Sequence, residues 1–381
     1  MIPYGRQSLS EDDVRAVVEV LRSDWLTQGP LVDRFEKTVA GYCGARDAVA
    51  VSNGTAALHL ACLALDLGPG DWLWTVPNSF VASANCGIYC GASVDFVDID
   101  PRTYNMDVEA LEAKLRSATD TGRLPKVVVP VHFSGHPSPM ERIGELSRSY
   151  GFRVVEDATH AIGSTYGGRP VGACTHSDLV VFSFHPVKIV TTGEGGVIAT
   201  NDADLAAKLR QLRHHGVTRD PERMVQEVDG PWYYEQTALG FNYRITDIQC
   251  ALGVSQMQRL DEFVTRRNEL ARRYEERLAG LPLEWQAAPE GGRSAFHLFV
   301  VNVDAARRRE VFVKLREGGV GVNVHYIPIH LQPFYRQRGF GPGDFPAAEA
   351  YYRRALTLPL FPALTEVEQD VVVERLAAAL G

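Results

Sequence analysis

The sequence has no surplus of basic charge. Lysine and arginine total 39 against 47 aspartates and glutamates, a net charge of −8. Neutralising duplex phosphates takes a Lys/Arg excess or a basic patch, and no long basic run occurs, so no nucleic-acid partner is expected. Cysteine is sparse: six residues, at 43, 62, 86, 90, 174 and 250. Cys86 and Cys90 lie one helical turn apart, but no paired zinc-ligand spacing follows. The thiols read as free thiols of a cytosolic protein, and no metal is expected. An apolar run able to span a bilayer is also missing. The longest uncharged stretch, Trp72 to Val94, has the length but carries Pro77, Asn78, Asn85, Gly87, Gly91 and several serines. It reads as a strand, a loop and a short helix, with no membrane partner expected. The opening Met1-Ile2-Pro3-Tyr4-Gly5-Arg6 has no apolar core segment, which predicts no secretion signal and a cytoplasmic location. With 34 glycines and 21 prolines, Gly/Pro bias stays near the usual level, which excludes collagen-like and low-complexity chains.

What is present suits a soluble enzyme-sized protein. The 381 residues are 45% hydrophobic, ample for a core, and long enough for a large domain plus a smaller one. Ser10-Glu11-Asp12-Asp13 reads as a capping box, and Val14, Val17, Val18 and Leu21 follow on one helical face. Buried strands are predicted at 48–52, 94–99, 127–131, 153–157, 179–184 and 196–200. Helices are predicted over 56–65 and 107–115, with another starting at Ser138-Pro139 and stopping at Gly151. Strands alternating with helices predict a mostly parallel sheet covered on both faces. A long loop is expected over 220–242, then a capping box at Thr246-Asp247-Ile248-Gln249. A charged helix from Asp261 to Leu278 stops at Gly280. A short α/β unit follows, with strands at 297–303 and 320–326, a helix at 305–317 and a closing helix at 365–380. The expected division is 1–260 and 261–381.

In such sheets ligands sit outside the carboxyl ends of the strands. Three strand ends matter. Asn53-Gly54-Thr55 opens a helix, whose free N–H groups and positive dipole end suit a phosphate. Asp157 ends an apolar strand and leads into Ala158-Thr159-His160; its carboxylate suits a protonated ring nitrogen, a metal or acid catalysis. Lys188 follows a buried strand in Ser183-Phe184-His185-Pro186-Val187-Lys188, and glycines 193, 195 and 196 come next. Burial depresses a lysine's pKa and makes the amine nucleophilic toward carbonyls. A carbonyl-binding lysine, an acid for a pyridinium and a phosphate cradle are the parts that pyridoxal 5'-phosphate requires.

The ordered set Leu26-Thr27-Gln28-Gly29-Pro30, Ser52-Asn53-Gly54-Thr55, Val155-Glu156-Asp157-Ala158, Phe182 to Lys188, Gly240-Phe241-Asn242-Tyr243-Arg244 and Val324-His325-Tyr326-Ile327-Pro328 resembles the DegT/StrS-type nucleotide-sugar aminotransferases. The resemblance covers essentially the whole chain. It implies an α/β fold of type I, the pyridoxal-phosphate aminotransferase fold. It implies that Lys188 carries the cofactor and that Asp157 holds the pyridine nitrogen. Gly54, Thr55 and Ser183 would bind the phosphate, Phe80 would stack on the ring, and His160 would lie on its 3-hydroxyl side. Asn242 would reach the phosphate of a neighbouring subunit, so the partner would be a second copy in a homodimer with shared sites. Leu26, Tyr4, His325 and Tyr326 would face the substrate. The substrates implied are L-glutamate and a nucleotide-linked keto-sugar, with the match nearest the pseudaminic-acid branch and its UDP-linked 4-keto-6-deoxy-N-acetyl-altrosamine. A dehydratase branch of the fold has histidine in place of the lysine, and Lys188 stands against it. Intact Lys188 and Asp157 stand against a non-catalytic regulator. His132 and His136 have metal-like spacing, but Gly135 and Pro137 oppose the helix that such a pair needs. His214-His215 reads as a structural cation at a helix end.

Overall fold

Uncharged five-residue runs such as Leu179–Ser183 and Gly196–Thr200 have no polar face, so they fit only a sheet covered on both sides. Both are buried throughout in the computed structural model, which describes residues 1–288 and 291–381. The central sheet contains β1 (Asp47–Val51), β2 (Trp72–Thr75), β3 (Ser93–Phe96), β4 (Val127–Val129) and β5 (Arg153–Asp157). After a side ribbon of β6 (Thr165–Tyr166) and β7 (Arg169–Pro170), it is completed by β8 (Leu179–Ser183) and β9 (Gly196–Thr200). The spatial order is β1-β9-β8-β5-β4-β2-β3. Six strands run in one direction, and β9 is antiparallel to both neighbours, β1 and β8. The sheet is therefore mostly parallel, as expected, and the fold is α/β.

That one reversed strand sets the site. Gly196, the first residue of β9, pairs with Val51 at the end of β1 and with Ser183 at the end of β8. Asp157 closes β5 opposite Val181. Three strand ends and the start of β9 thus meet along one edge of the sheet.

The helices follow local signals. Ser10 caps α1 (Glu11–Leu21) through a complete box with Asp13. Here the sequence reading needs a correction. The face of Val14 and Leu21 is 49% and 56% exposed, and Val20 and Asp13 are the buried positions. The reason is polar: Asp13 accepts from the Ser10 amide at 2.8 Å and from Gln256 Nε2 at 2.7 Å, which turns that side of α1 toward the helix carrying Gln256. Next come α2 (Pro30–Cys43) and α3 (Gly54–Ala64), then α4 (Ala82–Tyr89), α5 (Val108–Thr121), α6 (Met140–Tyr150) and α7 (Ala203–Arg213). The loop expected over 220–242 holds only one 3-10 turn and the short β11 (Glu235–Gln236), which pairs with β10 (Val217–Thr218) just before the loop. Thr246 caps α8 (Asp247–Met257) in a complete box with Gln249, and the 19-residue α9 (Leu260–Leu278) follows.

A second, small sheet comprises β12 (Glu284–Trp285), β14 (Phe299–Asn302) and β15 (Ala355–Leu358), while β13 (Gly292–Arg293) joins β6. The strand expected at 320–326 does not form. That segment makes only isolated bridges, Val320 with Ile2 and Asn323 with Thr357, because Ala355–Leu358 takes the ladder beside β14. The remaining helices are α10 (Arg308–Glu317), α11 (Pro333–Arg336), α12 (Pro346–Arg354) and α13 (Glu366–Leu380). Two buried apolar clusters cover the faces of the central sheet, and a third joins α9, β14, β15, α10 and α13. No helix among the described residues is long and apolar enough to cross a membrane.

A Cβ at position 196 would stand 2.4 Å from the Asn53 carbonyl oxygen. Backbone is on the other side of that contact, so Gly196→Ala must displace the Asn53–Gly54 loop. Overpacking of this kind costs about 1–3 kcal/mol, and the variant is expected to unfold at a lower denaturant midpoint with an unchanged m-value.

Candidate active site

The shared sheet edge opens into a cavity of about 640 Å³. Its floor is the start of α3. Asn53 Oδ1 accepts from the Ala56 amide at 2.8 Å and caps the helix. The Gly54 and Thr55 amides have no acceptor among the described residues, which leaves free donors at a positive helix end. Ser183 faces them. A Cβ on Gly54 would lie 3.0 Å from Ser183 Cβ, so glycine keeps this cradle open.

Asp157 and Lys188 line the same cavity. Asp157 is buried, and its Oδ2 accepts from Ser83 Oγ at 2.6 Å. Its Oδ1 accepts from the Thr159 amide at 3.2 Å. Burial lowers the Lys188 amine from the ordinary 10.5 to about 8, with the Asp157 carboxylate pulling it partly back up. An amine with that value has a neutral fraction at physiological pH that an exposed lysine lacks.

Three histidines form the opposite wall, and burial keeps all of them neutral. His160 lies well below its usual value through burial, reinforced by Lys188 and His325. Its Nε2 is 3.1 Å from Tyr326 Oη, and its buried Nδ1 has no partner among the described residues. His325 is lowered to about 3 by burial and then by Lys188. Asn323 Nδ2 lies 3.3 Å from His325 Nε2, and Asn323 Oδ1 is taken by the Val324 amide. That amide orientation makes His325 Nε2 the acceptor, so Nδ1 carries the proton and donates to Thr357 Oγ1 at 2.7 Å. His297 is buried beside His160, with ring centroids 4.4 Å apart. Burial raises the Tyr326 hydroxyl, and Asp157 adds to the effect. Phe80 is 58% exposed at the rim, its ring 6.3 Å from that of Tyr326. Tyr4 lies 5.4 Å from the His325 ring.

Ten of the residues expected at the site therefore share one cavity: Tyr4, Gly54, Thr55, Phe80, Asp157, His160, Ser183, Lys188, His325 and Tyr326. Leu26 and Asn242 lie outside it. Both are exposed; Leu26 precedes Thr27, which bridges Thr246, and Asn242 bridges His214, near a second hollow lined by Arg210, Arg213, His214 and Arg244. Sequence reasoning missed Ser79, Ser83, Glu194 and His297, which also line the cavity. His132 and His136 are used internally: His132 Nε2 is 2.7 Å from Glu156 Oε2, and His136 Nδ1 is 3.1 Å from Ser294 Oγ. No metal-holding group of His, Cys, Asp or Glu occurs among the described residues. His214 does cap the end of α7, but not as the expected cation. Arg244 Nη1 donates to its Nδ1 at 2.9 Å, and burial and Arg244 both lower its pKa.

The sequence model of the DegT/DnrJ/EryC1/StrS aminotransferase family matches residues 7–377. The chain belongs to that family. A spore coat polysaccharide biosynthesis protein of Bacillus subtilis, SpsC, is 40% identical over 98% of this chain and 95% of its own. A sugar aminotransferase of Streptococcus pneumoniae, Spr1654, solved in a PLP form, superposes with a TM-score of 0.89 at 28% identity, over 99% of this chain and 98% of its own. PseC of Helicobacter pylori, an aminotransferase of pseudaminic acid biosynthesis, gives 0.90 at 27% identity, over 100% of this chain and 99% of its own. Family members are pyridoxal-phosphate-dependent sugar aminotransferases, and this chain is an enzyme of that class.

The depressed lysine is directly measurable. Reductive methylation of cofactor-free protein, followed residue by residue by mass spectrometry, should modify Lys188 with a midpoint near pH 8 rather than 10.5. Because Asp157 raises the Lys188 value, Asp157→Asn should move that midpoint further down; an upward move would contradict the assigned cause.

Proposed function

We propose that this protein transfers an amino group from L-glutamate to a nucleotide-linked keto-sugar, using pyridoxal 5'-phosphate, in the cytoplasmic phase of surface-polysaccharide synthesis. The observation that carries the reading is Lys188 with its lowered amine, sharing one cavity with Asp157 and with the free amides of Gly54 and Thr55. Those groups fit the cofactor: a donor cradle held open by glycine, a buried carboxylate for a ring nitrogen, and an amine for an aldehyde. Gly54, Thr55 and Ser183 would hold the phosphate, Asp157 the ring nitrogen, Phe80 one ring face and His160 the 3-hydroxyl side. When bound, the cofactor supplies an aldehyde to take up the amino group and a ring to hold electrons. The chain's residues do the rest. The neutral fraction of the Lys188 amine would take the proton from the donor's α-carbon and return it on the cofactor side. Asp157 would keep the ring nitrogen protonated. The neutral histidine wall and Tyr326 exclude water and leave Lys188 as the base.

Among the residues lining the cavity there is no arginine, yet a sugar nucleotide carries a diphosphate and glutamate two carboxylates. Asn242 and Arg244 lie outside the cavity of their own chain, which supports a homodimer in which each copy completes the other's site. Leu26, Tyr4, His325 and Tyr326 would border the sugar. The PseC resemblance favours the UDP-linked 4-keto-6-deoxy-N-acetyl-altrosamine, giving the 4-amino sugar. Division of the chain into 1–260 and 261–381 is supported by the third apolar cluster, built almost wholly from residue 270 onward.

The deciding experiment offers UDP-, dTDP- and GDP-linked keto-sugars with glutamate and identifies the amino-sugar formed. No amino-sugar from any of them would end the proposal; a dTDP or GDP product would keep the class and replace the substrate. Lys188→Ala should lose multiple turnover at least a thousandfold while still taking up the cofactor through the phosphate cradle, a loss of about 4 kcal/mol in the barrier. Tyr326→Phe and His325→Ala should slow the keto-sugar half-reaction and leave the glutamate half-reaction nearly intact, because contacts to remote parts of one substrate do not serve the other. Equal losses in both would remove these two residues from the sugar pocket.

A further inference from the structure

Asp157 has one side-chain partner beyond its own loop, Ser83, and Ser83 has one of its own, Ser79. Ser83 Oγ lies 2.6 Å from Oδ2, and Ser79 Oγ lies 2.7 Å from Ser83 Oγ. All three residues are buried, and all three line the cavity. A carboxylate only accepts, so the Ser83 proton must point at Asp157. A hydroxyl has one proton; with that one committed, Ser83 Oγ can only accept from Ser79. The order Ser79 to Ser83 to Asp157 is therefore fixed, and the lone pairs of Ser79 are the end left for the cavity.

The backbone holds this chain in place. Ser83 sits in the first turn of α4, where its amide donates to the Phe80 carbonyl at 3.2 Å. Phe80 itself stands at the cavity rim. One short segment thus carries both the ring-facing aromatic and the hydroxyl behind the acid. The second oxygen of Asp157 is tethered by the Thr159 amide, so the carboxylate plane is fixed from both sides.

We propose that Ser83 is a positioning residue for Asp157, with Ser79 as its outer link, and that it keeps the carboxylate anionic and correctly turned toward the ring nitrogen of the cofactor. The proposal rests on the pyridoxal-phosphate reading above. A hydrogen bond to the ionised form favours that form, so the proton between acid and ring nitrogen stays on the ring. Without Ser83 the carboxylate becomes a stronger base, competes for that proton and can rotate. The ring then accepts electrons less well.

The test uses enzyme loaded with cofactor labelled with ¹⁵N at the pyridine position. In Ser83→Ala the nitrogen resonance should move toward that of an unprotonated ring. Cofactor affinity or the glutamate half-reaction should fall roughly ten- to a hundredfold, the range for one hydrogen bond to a charged group. Ser83→Thr, which restores the hydroxyl, should recover the wild-type resonance, and Ser79→Ala should give a smaller shift in the same direction. A merely structural serine would lower the melting temperature of the cofactor-free variant and leave the resonance alone, so the resonance is the deciding readout. An unmoved resonance in Ser83→Ala, or one that Ser83→Thr does not restore, overturns the proposal. Asp157→Asn separates the two levels: if it shifts the resonance and Ser83→Ala does not, only the serine role fails. If neither shifts it, the assignment of Asp157 to the ring nitrogen fails as well.

Discussion

The site depends on Gly196 pairing with two strand ends at once. Val51 and Ser183 both face it across the antiparallel β9. Had β9 been parallel to its neighbours, its start would lie at the opposite edge and the Asn53–Thr55 turn would have no floor. Because it is reversed and begins with glycine, the Asn53 carbonyl can lie where a side chain would otherwise be. The two strand ends are thereby brought close enough for Gly54 and Ser183 to meet. The cradle is thus a consequence of strand direction and one missing methyl group, before any ligand is considered.

Burial then sets the chemistry. His160, His297 and His325 are all pushed down by desolvation, and each is pushed further by the positive charge of Lys188. Lys188 is itself lowered by the same burial, while Asp157 opposes that lowering. The outcome is a wall that neither donates acid protons nor neutralises the acid, beside one amine balanced between its two forms. Exposed versions of these residues would titrate independently near their ordinary values and would not divide the roles this way.

The parts legible in the sequence are those that local rules govern. Asn53, Asp157 and Ser183 stand at the ends of apolar runs, and strand ends mark ligand sites in open α/β sheets. Lys188 stood out because a lysine just past a buried strand is uncommon. Capping boxes at Ser10 and Thr246 were also readable, and both form. What was not legible depends on long-range packing. Val320–Tyr326 alternates like a strand, yet Ala355–Leu358, only four residues long and buried on both faces, occupies the ladder. Ser83 lies in an ordinary-looking helix and matters only because β5 ends against it. His297 read as nothing more than the first residue of a strand, since its closeness to His160 spans more than a hundred residues of chain.

The wall opposite the sheet edge is anchored by a different part of the chain. Arg267 in α9 is buried and lowered to about 10 by that burial. Its Nη1 donates to the carbonyls of Phe296, His297 and Leu360 at 3.1, 3.3 and 3.0 Å, and it forms no ion pair among the described residues. Burying a charge on neutral carbonyls is costly, and replacing it by an apolar side chain of similar size often costs a fold nothing. What the guanidinium does that an apolar residue cannot is tie three separate backbone points together, one of them His297. Tyr351 Oη acts similarly on the His325 carbonyl at 2.6 Å. Two of the three histidines, His297 and His325, are therefore fixed through the C-terminal part of the chain, while His160, the cradle, Asp157 and Lys188 are fixed through the central sheet. Side chains on the C-terminal part of the wall can change without disturbing the strand register that holds the acid and the amine.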